Sequence, residues 1–252
     1  MPLRISLLLA LLQVTEFERG VDSFQRGRLR EALTAFEQAA AKAPTAKHLK
    51  ALGTVHAAME NYPAAEEALG RACRLDPKEE DACYYHGRSL YALDRYQASL
   101  VSLEKAPAGL RPWRISLAMG QALEALGRAA EAEAQYRKSI LLVPAKAANP
   151  DMDNPRADYG LFLYRQGRIE EAVRALDAAV ETDASPRALY FSGRAYLQAG
   201  RLKEAVARLE MAIRRKPEYR EAHHAISQAY ARLGRLEEAA RHSRLAGSVK
   251  SQ

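Results

Sequence analysis

Along most of this chain the apolar residues recur every three or four positions, and the stripes they form are cut at regular points by glycine. After Gly200, Leu202, Ala205, Val206 and Leu209 make one apolar face at helical spacing. Gly27, Gly127, Gly167, Gly200 and Gly234 each stand between two such segments. Glycine takes the left-handed backbone that ends a helix, so each marks a turn between two helices. Pro44, Pro77, Pro144 and Pro217 close the second segments, because proline has no amide hydrogen and its ring blocks further helical turns. The pattern predicts amphipathic helical hairpins and no strand.

The hairpins are copies of one unit. The phrase QAGRLKEAVARLE, residues 198 to 210, returns as QRGRLREALTAFE from Gln25, ALGRAAEAEAQYR from Ala125, RQGRIEEAVRALD from Arg165 and RLGRLEEAARHSR from Arg232. Gly20, Gly53, Gly87, Gly120, Gly160, Gly193 and Ser227 follow at intervals of 33, 34, 33, 40, 33 and 34 residues. Ala32, Ala65, Ser99, Ala132, Ala172, Ala205 and Ala239 keep the same intervals, always twelve residues behind. Seven units result, with an insertion before the fifth. Glycine in the first helix and alanine in the second allow the two backbones to approach closely. A lone hairpin cannot cover its apolar face, so neighbours must stack.

This unit resembles the tetratricopeptide repeat, 34 residues with a small residue in the first helix. Twelve positions on, that family has alanine, and sixteen on, an aromatic or large apolar residue; a small residue follows at nineteen and proline at twenty-four. Gly193, Ala205, Leu209, Ala212 and Pro217 fit, with Tyr196 beside them, as do Gly20, Ala32, Phe36, Ala39 and Pro44. Ser99 and Ser227 depart from the pattern, Pro107 arrives early in the third unit, and the family's tryptophan early in the first helix is absent throughout. The resemblance implies an all-α, right-handed superhelical solenoid of seven helix-turn-helix hairpins. Its repeats lie near 13–45, 46–79, 80–112, 113–146, 153–185, 186–219 and 220–247, with a connector at 147–152 and a tail at 248–252.

It also implies a concave groove lined by first-helix positions on either side of the glycine. Carried onto this chain these are Lys47, Lys50, Tyr84, Arg88, Tyr91, Arg114, Tyr164, Arg165, Arg187, Tyr190, Arg194, His224 and Arg232. Eight of them are Lys or Arg, against the acidic Asp81, Glu124 and Glu221 at equivalent positions. The whole chain carries 38 basic and 31 acidic residues, so the groove is enriched in positive charge beyond its background. Arginine with tyrosine favours binding surfaces. The expectation is a non-enzymatic scaffold that binds a protein or peptide segment of acidic character. The family's clamp for chaperone tails is not expected, because Lys50 is present but Thr54 stands where an asparagine belongs. RNA is the alternative partner. A one-base-per-repeat code would need equivalent polar residues in each unit, whereas Val14, Lys47, Asp81, Arg114 and Asn154 vary.

Chemistry is sparse. No phosphate loop, nucleophile elbow, zinc-protease pair or dinucleotide fingerprint occurs, so no enzymatic activity, cofactor or metal is expected. His56, His86 and His223 fall on core-facing positions and read as structural. Asp151 and Asp153 lack the glycine and glutamate of a calcium loop. Cys73 and Cys83 sit on apolar faces and read as two buried thiols in preference to a disulfide. Arg4 followed by Ile5 to Leu12 reads as a secretory signal and an exported protein. Its alternative is a leading helix over the first repeat of a cytoplasmic one. No apolar run is long enough to span a membrane.

Overall fold

The computed structural model describes residues 15–79, 81–107, 109, 111–144 and 154–248. Among these residues are fourteen helices and no strand. The helices are α1 (Glu16–Gln25), α2 (Leu29–Lys42), α3 (Ala46–Ala58), α4 (Tyr62–Leu75), α5 (Ala82–Ala92), α6 (Tyr96–Lys105), α7 (Pro112–Ala125), α8 (Ala129–Leu142), α9 (Pro155–Arg165), α10 (Ile169–Thr182), α11 (Pro186–Gln198), α12 (Leu202–Arg215), α13 (Arg220–Arg232) and α14 (Leu236–Ser248). Odd-numbered helices are the first helices of the expected hairpins. Second helices α2, α4, α8 and α12 stop one or two residues before their prolines, where the pre-proline backbone is pushed out of the helical region. The possible signal, residues 1–12, and the connector at 147–152 lie outside the described residues.

The chain forms two compact units, Met1–Arg128 with α1 to α7 and Ala129–Gln252 with α8 to α14. Within each, every helix packs on the next. First helices of successive repeats also touch, α3 on α5 and α5 on α7 in one unit, α9 on α11 and α11 on α13 in the other. This is the contact pattern of stacked helical hairpins.

What draws each hairpin together is a glycine under a large side chain. A β-carbon on Gly193 would lie 2.6 Å from Leu209 Cγ, closer than such atoms come, and a tight 3.3 Å from the Ala205 oxygen. Equivalent atoms on Gly20, Gly53, Gly87 and Gly160 would strike Phe36, Leu69, Leu103 and Leu176 at 2.5 to 2.7 Å. Each large residue is at most 3% exposed, and burying such a side chain stabilises by about 1.5–3 kcal/mol. The two serines that depart from the pattern keep the contact by hydrogen bonding. Ser99 Oγ donates to the Gly87 oxygen, and Ser227 Oγ to the Ala239 oxygen, each at 2.7 Å across its hairpin. The seventh hairpin departs once more: exposed Ser243 stands where the others carry their large residue.

Each of the seven turns holds a left-handed residue. Five are the expected glycines, with φ between 72 and 77°, and the other two are Glu60 (φ 59°) and Asp94 (φ 57°). Further links join successive repeats. In the second unit Glu133 of α8 accepts from the Tyr159 hydroxyl of α9 at 2.9 Å and from Arg168, just before α10, at 2.6 Å. Arg137 Nη2 reaches the same carboxylate at 2.8 Å. These donors, Arg168 first among them, lower the Glu133 pKa to about 2.

The cysteines correct an expectation. Cys73 and Cys83 form a disulfide, with Cα atoms 4.8 Å apart. The chain reverses between α4 and α5, so the apolar faces that carry the two residues meet, and the spacing lies in the range a disulfide spans. His223 is structural as expected, 3% exposed and bonded to His242 and the Pro217 oxygen.

Replacing Gly193 by Ala should therefore lower stability by about 1–3 kcal/mol, and Leu209→Ala alone by about 2–5. The double variant should cost less than the sum, because the added methyl enters space that leucine vacates; denaturant midpoints of the three proteins test this. Glu60→Gly should raise stability by about 0.5–1 kcal/mol in the same assay, since it relieves a left-handed side chain. The low pKa of Glu133 contributes stability that is complete above the ordinary value of 4.5 and fades as pH falls towards 2. Glu133→Gln should remove that fraction of the acid sensitivity, on the order of 1 kcal/mol after solvent screening, measured as urea midpoints between pH 5 and 2.

Candidate partner-binding face

The side chains expected to line a groove come from the first helices, and the structure gives most of them partners inside the protein. In the first unit Lys47 Nζ lies 4.6 Å from the Phe17 ring centre, and Lys50 Nζ pairs with Glu79 at 2.7 Å. Arg88 donates to the Tyr84 hydroxyl at 3.2 Å, while Arg114 stands over the same ring at 5.4 Å. Tyr84 is only 4% exposed, so it is part of the core; Tyr91 packs on Tyr96 at 5.3 Å. A cavity of about 450 Å³ opens between α1, α3 and α5, with Phe24, Phe36 and Tyr85 facing Lys50, Asp81 and Arg111.

In the second unit Arg194 of α11 is held between aromatic rings. Its guanidinium carbon lies 5.2 Å from the Tyr164 ring centre and 5.9 Å from that of Tyr190, and its Nη2 donates to the Tyr164 hydroxyl at 3.2 Å. Stacking of this kind fixes a guanidinium without neutralising it. Arg187, two turns earlier on the same helix face, is engaged differently: it pairs at 2.6 Å with Asp158, whose side chain is 9% exposed, and covers Phe191. Arg232 donates to the Leu197 oxygen at 2.8 Å, and Arg165 is exposed at the end of α9. Tyr190 is 9% exposed, packed against Tyr219 with ring centres 5.0 Å apart. Burial pushes the Tyr219 phenol up to about 12, so that side of the face stays uncharged.

Three expected groove residues do share one space. A cavity of about 710 Å³ along α13 is lined by Tyr190, Arg194 and His224, together with Arg220, Glu221 and Gln228, and reaches α14 at Ser243. Sequence reasoning identified the first three and missed Arg220 and Ser243. Arg220 opens α13 just outside the positions that the resemblance supplies, and Ser243 belongs to a second helix. Gln228 was overlooked although it follows Ser227 on the groove side of α13. Its amide lies 3.0 Å from His224 Nε2; as donor there, it leaves the ring proton on Nδ1.

One arrangement in the first unit has the look of a nucleophile with its base. His86 Nδ1 lies 2.9 Å from Ser102 Oγ, and its Nε2 lies 3.4 Å from Glu66. Burial lowers the His86 pKa, against the pull of Glu66. Ser102, however, is 4% exposed and donates its hydroxyl hydrogen to the Cys83 oxygen at 2.9 Å, so His86 Nδ1 faces its oxygen as a donor and not as its base. Gly70 makes room for this ring, since a β-carbon there would lie 2.9 Å from His86 Nε2. Among the described residues no three His, Cys, Asp or Glu side chains converge as metal ligands, and no helix is long and apolar enough to cross a membrane.

Residues 17–80, 50–109 and 160–211 match a family model described as tetratricopeptide repeat, as do residues 114–145, and residues 193–240 match one described as TPR repeat. A 95-residue stretch is 38% identical to the TPR repeat-containing thioredoxin TTL4 of Arabidopsis thaliana; it makes up 37% of this chain and 14% of that protein. A solved tetratricopeptide repeat protein from Parabacteroides merdae superposes with a TM-score of 0.70 at 16% identity, over 94% of this chain and 93% of that one. YrrB, described as a TPR protein with an unusual peptide-binding site, does so with a TM-score of 0.52 at 22% identity, over 77% and 98%. At these identities the two structures speak for the fold.

Proposed function

The chain belongs to the tetratricopeptide repeat family, and from that premise we propose that it is a non-enzymatic protein-interaction scaffold whose first-helix face takes an acidic segment of a partner protein. The observation that carries this reading is Arg194, a guanidinium stacked on two tyrosines and aimed into a cavity. A side chain already fixed loses little freedom on binding, so more of its attraction for a carboxylate appears as affinity. Exposed Arg165 and Arg232 extend the positive face of the second unit, which favours an acidic partner and speeds its encounter. Arg187 and Lys50 contribute less, since Asp158 and Glu79 already balance them. RNA is the weaker reading because the equivalent first-helix positions change character from repeat to repeat. The Cys73–Cys83 disulfide supports export as the role of Arg4 and the apolar run to Leu12, since disulfides persist in oxidising compartments.

Arg194→Glu tests the proposal better than a change at Arg187, which would set a new carboxylate against the buried Asp158. Partner proteins bound to the wild type should bind Arg194→Glu at least tenfold more weakly, which is about 1.4 kcal/mol or more. Added salt should weaken the wild-type complex and affect the variant less. The melting temperature should stay close to wild type, since Arg194 is only half-buried. Equal binding by wild type and variant in both low and high salt would overturn the reading.

A further inference from the structure

The seventh hairpin breaks the rule that holds the others together, and the break coincides with a cavity lined mostly by polar side chains. Six repeats carry Phe36, Leu69, Leu103, Tyr136, Leu176 or Leu209 at the position of the large residue, each at most 3% exposed. The seventh has Ser243, with Ser227 in place of the glycine. A hydroxymethyl group replaces an isobutyl or aromatic group, and Ser243 lines the cavity of about 710 Å³. Real proteins depart from their packing rules at functional sites, and here the departure lies on a cavity.

Resting on the acidic-partner reading, we propose that this trough along α13 is where the partner is gripped, and that it seats one acidic side chain of an extended peptide. The charges around it are Arg194 and Arg220 against Glu221, with the His224 ring beside them. Arg194 projects from α11 with its plane fixed by Tyr164 and Tyr190, which suits the two-pronged geometry of a carboxylate. Gln228 offers both a donor and an acceptor, the complement of a peptide group, and the Ser243 hydroxyl adds either role. Glu221 disfavours a second anion close to the first. That selects a segment with isolated acidic residues over a polyphosphate or nucleic-acid backbone, whose charges are continuous.

The test uses the full chain and four probes: a fluorescein-labelled peptide alternating glutamate with alanine, its glutamine counterpart, oligo-uridine, and inorganic phosphate as competitor. Fluorescence anisotropy should show binding of the glutamate peptide and at least tenfold weaker binding of the glutamine peptide and oligo-uridine, with millimolar phosphate a poor competitor. Ser243→Leu fills the trough without changing any charge and should weaken the glutamate peptide tenfold or more, while Ser243→Ala, which removes only the hydroxyl, should weaken it no more than severalfold. Gln228→Ala, at an exposed site, should weaken it severalfold and guards against a folding defect in the leucine variant. If Ser243→Leu and Gln228→Ala bind like wild type while Arg194→Glu does not, the trough is overturned and the broader acidic-partner reading survives. If Arg194→Glu also binds like wild type, both fall. Tight oligo-uridine binding, or displacement by phosphate, overturns the peptide as occupant.

Discussion

Everything in this chain depends on how closely the two helices of a hairpin can approach. The glycines at Gly20, Gly53, Gly87, Gly160 and Gly193 have no β-carbon because one would fall within 2.7 Å of the large residue opposite. The leucine or phenylalanine can then lie flat over the first helix and be almost fully buried. Glycine inside a helix costs about 0.5–1 kcal/mol relative to alanine, less than burial of the large side chain returns. The second requirement follows: Ala32, Ala65, Ala172 and Ala205 are completely buried, so the position takes only a small side chain. From these two conditions come the hairpin and the face it offers to its neighbour.

The exceptions show that the constraint is one of distance and not of residue identity. Ser99 and Ser227 each add a hydroxyl at a close contact, and each donates it to the carbonyl of the opposite helix twelve residues away. The same geometry works from either helix. A buried hydroxyl with a partner is tolerated, whereas one without would cost about 1–3 kcal/mol. Ser243 is of another kind. It stands exposed in place of a buried side chain, so its hairpin relinquishes packing that the others retain.

The hairpins and their limits were legible in the sequence because a repeated unit states its rule seven times. Gly127, Gly167, Gly200 and Gly234 mark turns by their identity alone; Glu60 and Asp94 occupy the same backbone conformation without that mark and were found only in three dimensions. The candidate face was legible only in part. Register identified which residues lie on first helices, but partners 29 or 30 positions apart decide which of them can act. Lys50 meets Glu79, Arg187 meets Asp158 and Arg194 meets Tyr164. Tyr84 and Tyr190 stand at groove positions and are nevertheless buried, because the next first helix covers them. The disulfide escaped for a related reason: Cys73 and Cys83 each read as an ordinary apolar position, and only the packing of α4 on α5 shows that they meet.

These pairings change what the formal charge of +7 means for recognition. A cation bonded to a buried carboxylate adds little field outside the protein, since the pair is nearly neutral at the distance of a ligand. A guanidinium stacked on tyrosines keeps its whole charge and loses only its mobility. The attractive part of the second unit is therefore narrower than a count of basic residues suggests, and it centres on Arg194. Selectivity then comes from the surroundings. In the proposed trough Glu221 limits how much negative charge can enter, and the space beside Ser243 sets the size of the group that carries it.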